Sequence, residues 1–115
     1  MTQRDDRLLL GDMLQYARKA HALIEGKEAK DLDPFGTDTL ALIRCLQVIG
    51  EAAWIIGDGW RSKLPEIPWE RIAGMRHRLV HDYARTDLEI LWRTATTHVP
   101  VLIGQLERAL ERPNA

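Results

Sequence analysis

Apolar side chains recur at intervals of three and four residues in four separate stretches, the spacing that gathers them on one face of an α-helix. In the first, Leu8, Leu9, Met13, Leu14, Ala17, Ala20, Leu23 and Ile24 form the stripe. Asp5 or Asp6 is placed to cap its start and Gly26 to end it. The second is predicted to start at Thr37 or Asp38 and to run to about Ile56, with Leu42, Ile43, Leu46, Ile49, Ala53 and Ile56 on one broad face. The third follows Pro68, a residue suited to a helix start, and runs from Trp69 to about Tyr83 on Ile72, Met75, Leu79 and Val80. The fourth begins near Asp87 and carries Leu88, Leu91, Trp92, Ala95, Val99, Leu102, Ile103, Leu106 and Leu110, with Pro100 predicting a kink.

The intervening segments read as connections. Residues 26–37 mix both charges with Pro34 and show no apolar period, which describes a solvated connector. Gly57-Asp58-Gly59 breaks the second helix, 60–64 reads as a short turn, and Pro65-Glu66-Ile67-Pro68 reads as an extended elbow. Trp54, Trp60 and Trp69 gather around that elbow and are read as core and hinge packing in preference to a base-stacking platform. No repeat, low-complexity tract or glycine-rich phosphate loop interrupts the pattern. The prediction is an all-α fold: an up-down bundle of about four main helices, in one domain spanning 1–115.

Composition narrows the partners and the compartment. A formal net charge of -1 gives no global basic field, so contact with nucleic acid has to come from a local patch. The single cysteine, Cys45, excludes an internal disulfide and a multi-cysteine zinc cluster, and its place in an apolar helical pattern describes a buried, inert thiol. No apolar run approaches the length of a membrane span, and Met1-Thr2-Gln3-Arg4-Asp5-Asp6 lacks a signal-peptide core, so the expected location is the cytoplasm. A chain of 115 residues buries only part of its unfolded surface, and a dimer interface would add to that. Gly74, inside the third helix, costs about 1 kcal/mol relative to Ala and so points to a close helix approach, of the kind a dimer seam requires.

The groups able to do chemistry concentrate in Arg76-His77-Arg78-Leu79-Val80-His81-Asp82-Tyr83. At roughly 100° per residue, Arg76 and Tyr83 lie within about 20° of one another while His81 points roughly 140° away from Arg76. An arginine that steadies anionic oxygen and a histidine that titrates near neutrality suffice for attack on a phosphodiester. Their separation makes one straight helix an awkward platform, so the site uses either a bend or two copies of the helix forming a composite cleft. On the second helix, Arg44, Gln47 and Glu51 make one narrow polar stripe. It reads either as a solvent-facing row or as a row facing the Arg76 cleft, with Glu51 orienting a cation and Arg44 adding a phosphate contact. His77 and His81 also have the i, i+4 spacing of helical zinc ligands, but the Glu of that signature and an obvious third ligand are missing, so no metal and no cofactor is expected.

The order and spacing of these blocks resemble the HepT-like family of the HEPN superfamily. The match runs through Asp5-Asp6-Arg7-Leu8, Asp12-Met13-Leu14, the stretch Arg44-Cys45-Leu46-Gln47-Val48-Ile49-Gly50-Glu51-Ala52-Ala53, Pro65-Glu66-Ile67-Pro68-Trp69, the Arg76 to Tyr83 motif, and Asp87-Leu88 with Trp92. The resemblance implies a HEPN-like bundle and a metal-independent endoribonuclease whose Arg76 and His81 act in a homodimeric cleft. It also implies a toxin of the type VII pairs, held in check by an MntA-like nucleotidyltransferase antitoxin that transfers AMP to Tyr83. Cleavage would proceed by attack of the RNA 2′-hydroxyl on its neighbouring phosphate. His81 would serve as general acid or base, Arg76 would stabilise the phosphorane, His77 would position the substrate, and the Tyr83 hydroxyl would hold a phosphate oxygen. The alternative is a non-catalytic helical module that binds a nucleotidyltransferase or a nucleotide.

Overall fold

The computed structural model of the chain describes residues 5–79 and 87–111, with residues 76–79 described as backbone only. Helix α1, Asp6–Ile24, starts where the Asp5 carboxylate accepts the backbone N–H groups of Arg7 and Leu8 at 3.0 and 3.3 Å. Such a cap satisfies donors that the helix cannot, and contributes about 1 kcal/mol. It ends ahead of Gly26, whose φ of 75° lies in the left-handed region that glycine occupies without strain. Helix α2, Thr37–Ile55, follows a connector containing one 3-10 turn, Ala29–Asp31. The segment expected as a short turn is instead a six-residue helix, α3, Asp58–Lys63. Under two turns of helix is too short for a hydrophobic period to register.

Helix α4, Trp69–Leu79, begins at the residue expected, and the stretch 80–83 of that prediction lies outside the described residues. Helix α5, Leu88–Arg93, is capped by the Asp87 carboxylate and passes through a π-helical turn, Thr94–His98, into α6, Val99–Glu111. The π turn is the form that the irregularity at Pro100 takes. Proline offers no N–H, and its ring crowds the carbonyl four residues back, so the strain is absorbed in the widened turn just ahead of it. Thr94 and Thr96 donate their hydroxyls to the Ile90 and Trp92 carbonyls, both at 2.8 Å, which fills acceptors that the altered register disturbs.

Contacts between helix ends give the topology. Lys27, just past α1, pairs with Asp38 in the first turn of α2, while the N–H of Gly57, just past α2, donates to Asp6 at 3.0 Å. Both require α1 and α2 to be antiparallel. The Arg7 guanidinium donates to the Leu110 carbonyl at 2.5 Å, so α6 ends beside the start of α1. The Gln105 amide reaches the Glu66 carbonyl at 3.1 Å, which ties α6 to the elbow ahead of α4. With α4 packed along α2 and α6 along α1, the result is the up-down four-helix layout.

The core lies between these helices: Leu10, Met13, Ala17 and Ala20 from α1, Leu42, Leu46, Ile49 and Ala53 from α2, Leu64 and Ile67 from the elbow, and Leu91, Val99 and Leu106 from the last helix. The elbow is pinned by buried Trp69, whose indole N–H donates to the Leu64 carbonyl at 3.0 Å. Two expectations are corrected. Leu8 is exposed and Leu10 takes its place in the core, because three consecutive leucines leave the phase of the stripe open at its N-terminal end. Trp54 is not core packing: it is 62% exposed, whereas Trp60 is half-buried under the Lys63 ammonium, 5.4 Å from its ring centroid.

Candidate RNA-cleavage site on α2 and α4

The two-to-one apolar majority on α2 decides what points outward. Leu42, Cys45, Leu46, Ile49, Ala52 and Ala53 face the core, and the line left over is Leu40, Arg44, Gln47, Glu51 and Trp54. Arg44 and Glu51 are exposed and Gln47 is half-buried. The polar row expected on this helix therefore exists as a row. Seven residues apart, Arg44 and Glu51 differ by only about 20° around the axis.

Helix α4, which carries Arg76 and His77, packs on α2, the helix that bears this row. The side chains of Arg76 and His77 lie outside the described residues, as do His81 and Tyr83 altogether. The described part of α4 is regular to Leu79. A Cβ built at Gly74 would meet nothing within 4 Å, so the close approach expected there is not made by another helix of the same chain among the described residues.

One nucleophile is removed by its surroundings. Cys45 is buried, and burial pushes its thiol pKa up, against a smaller downward pull from the Lys19 ammonium. A neutral thiol facing the core is inert at physiological pH. Among the described residues no group of three or more His, Cys, Asp or Glu side chains could hold a metal ion. The groove of about 460 Å³ lined by Leu14, Arg18, Gly104, Glu107 and Arg108 belongs to α1 and α6 and contains none of the motif residues. Its Arg18 is engaged by Glu107 at 2.7 Å.

The model of the Ribonuclease HepT-like family matches residues 13–109, which takes in α2 to α5, most of α1 and α6, and the whole Arg76 to Tyr83 motif. The chain belongs to the HepT-like ribonuclease family. Its relatives agree. It is 32% identical over 111 residues to "Putative RNase MJ1216" of Methanocaldococcus jannaschii, covering 96% of this chain and 92% of that protein. A second protein of that organism, "Putative RNase MJ1380", is 33% identical over 110 residues, covering 93% of this chain and 98% of the relative. "Probable ribonuclease HepT" of Thermococcus cleftensis is 41% identical over 68 residues, covering 59% of this chain and 62% of that one. No solved structure matches the chain. The HepT-like assignment places the chain among nucleases, and the all-helical bundle is the fold expected from the resemblance. No helix among the described residues is long and apolar enough to cross a membrane.

Two residues on the outer line were not anticipated as surface groups: Leu40, one turn before Arg44, and Trp54, one turn after Glu51. The signal for them was present in their spacing, which continues the polar row at intervals of four and three.

Proposed function

We propose that the chain is a metal-independent endoribonuclease and the toxin of a type VII HepT/MntA-like toxin-antitoxin pair, acting in the cytoplasm. The observation that carries the reading is the HepT-like family match, which spans the motif helix and the helix it packs on, where Arg44 and Glu51 are exposed. RNA supplies its own nucleophile, so the enzyme needs only to move protons and to hold negative charge. A base takes the proton of the 2′-hydroxyl and its oxygen forms a bond to the adjacent phosphorus. The P–O5′ bond then breaks as the 5′-oxygen receives a proton, leaving a 2′,3′-cyclic phosphate and a free 5′-hydroxyl. His81 is the proton-transfer group. Arg76 stabilises the phosphorane, whose equatorial oxygens carry more charge than the ground-state phosphodiester. His77 positions the phosphate, and Arg44 and Glu51 support from α2. Two copies of the chain complete the cleft, since Arg76 and His81 point in different directions on one helix.

Tyr83 provides control. An MntA-like nucleotidyltransferase would attach AMP from ATP to its phenolic oxygen, releasing pyrophosphate. The added phosphate and nucleoside place bulk and negative charge where the RNA backbone has to sit. Cleavage of RNA by the purified chain in EDTA tests the reading, with His81→Ala and Arg76→Ala checked for folding. Cyclic phosphate ends that vanish in both variants support it. An intact wild type that cleaves neither bulk cellular RNA nor tRNA overturns it and leaves a helical module that binds a nucleotidyltransferase or a nucleotide.

A further inference from the structure

The four tryptophans of the chain sit in unlike surroundings. Trp69 is 6% exposed with its indole N–H bonded, Trp60 and Trp92 are half-buried, and Trp54, in the last turn of α2, is 62% exposed. An indole left in water forgoes the burial by which aromatic rings stabilise a core, and its open face suits a ligand that brings a flat aromatic surface of its own. The ring's place is fixed from behind. The Arg61 guanidinium donates to the carbonyl of Ala53, the residue before Trp54, at 2.6 Å, and Trp54 also engages a group of its own chain. Arg61 thereby offsets the negative end of the α2 dipole, which would otherwise repel an anionic strand.

We infer that Trp54 is a stacking platform for a base of single-stranded RNA. The groups around it favour a nucleobase over the apolar surface of another protein. Its nearest exposed neighbours along the chain, before and after, are Glu51 and Asp58. The centre of a protein interface is depleted in charged residues, so a ring flanked by carboxylates is poorly made for one. A base brings a π face to the indole and, at its edge, amino groups that a carboxylate accepts. The phosphates have a separate contact. Arg44 is exposed and, among the described residues, has no ion-pair partner within its own chain. It lies ten residues before Trp54, about 15 Å along the axis and about 80° around it, on the helix that α4 packs on.

A stacking contact also serves the chemistry. Attack of a 2′-oxygen on the adjacent phosphorus needs that oxygen in line with the P–O5′ bond, an orientation that a strand stacked on itself does not hold. A base taken onto an indole leaves its neighbours in the strand, and the backbone beside it opens. Trp54 is therefore a binding residue that touches a base and not the reacting atoms. The inference rests on RNA being the substrate of the proposed function, and it names a side chain that grips it.

Binding of a fluorescein-labelled 2′-O-methyl oligonucleotide, which lacks the attacking hydroxyl and so stays intact, tests it by fluorescence anisotropy, with helicity followed by circular dichroism. Trp54→Ala is expected to raise the dissociation constant about tenfold, while Trp54→Phe keeps most of the affinity. Salt separates stacking from charge: the slope of log affinity against log salt should be unchanged in Trp54→Ala and shallower by about 0.7 in Arg44→Ala. On a strand of the same length built from abasic units, wild type should bind about tenfold more weakly, and its advantage over Trp54→Ala should vanish. A Trp54→Ala chain that binds the normal strand as wild type does overturns the platform, and so does an equal loss on the abasic strand. A change in sedimenting mass with RNA affinity intact also overturns it, since Trp54 then covers a protein contact. Cleavage of unmodified RNA separates the two readings. Trp54-dependent binding without cleavage sinks the nuclease and spares the platform, whereas equal KM for cleavage by wild type and Trp54→Ala does the reverse.

Discussion

Helices α1 and α2 are neighbours of equal length, 19 residues each, yet their outer faces are unlike. Along α1 the outward positions include Asp12, Gln15, Arg18 and Lys19 through the middle of the helix, with Leu8 and Tyr16 the large apolar exceptions. Along α2 the outward line has an apolar residue at each end and a single cation and anion between them. The two inner faces do the same work, supplying large apolar side chains that are almost wholly removed from water. The difference teaches that core-facing residues report how a chain folds, while the outward residues report what it does once folded. α1 closes the bundle against solvent, and α2, with α4 beside it, presents a surface that is chemically unfinished.

The comparison is broken most severely at the motif. His81→Ala and Arg76→Ala should each lower RNA cleavage by roughly a thousandfold, the scale of a lost proton-transfer or charge-stabilising group, with the urea midpoint close to wild type. If either change unfolds the chain instead, the motif is structural. Next come the inner faces, where α1 and α2 should behave alike. Leu10→Ala and Leu46→Ala, both at fully buried positions, should each cost about 2–5 kcal/mol in urea unfolding. A marked inequality between them would mean that the two inner faces do not share one core.

Smaller effects sharpen the contrast. Asp5→Ala removes the cap of α1 and should cost about 1 kcal/mol without touching cleavage, marking α1 as a stability element. The smallest effect is the pH dependence carried by Cys45. Its folded-state pKa is raised by burial, so the unfolded chain loses the thiol proton first as pH climbs. The stabilisation is complete below the unfolded thiol pKa and declines as pH rises from there towards the folded value. Urea midpoints measured across the alkaline range should fall more steeply for wild type than for Cys45→Ala, and a thiol reagent should label Cys45 only as fast as the chain opens.

Several features of the fold were legible because each has a local cause. Asp5, Asp87 and Gly26 mark helix ends through their own side chain or backbone freedom, and the tertiary structure leaves them in those roles. The polar row on α2 was legible as a row, since its angular spacing follows from helix geometry alone. What could not be read was its surroundings. Trp54 looks like core to any scale that counts apolar area, and only the packing of α1 and α4 against α2 leaves it largely exposed among the described residues. Short α3 and the π turn were hidden for a different reason. α3 is under two turns long, so no hydrophobic period marks it, and Pro100 announces an irregularity without saying that it will take the form of a π turn.

The sequence by itself determined the helical class, the helix starts, the inert cysteine and the motif that assigns the chain to the HepT-like ribonucleases, because each depends on residue type and on spacing along one helix. The tertiary structure decided which of Leu8, Leu9 and Leu10 enters the core, where the strain at Pro100 is released, and that α2 turns Leu40, Arg44, Glu51 and Trp54 outward together. Those outcomes depend on which surfaces remain after the other helices have packed. A one-dimensional pattern contains no measure of that, since burial is a property of neighbours brought together from distant parts of the chain.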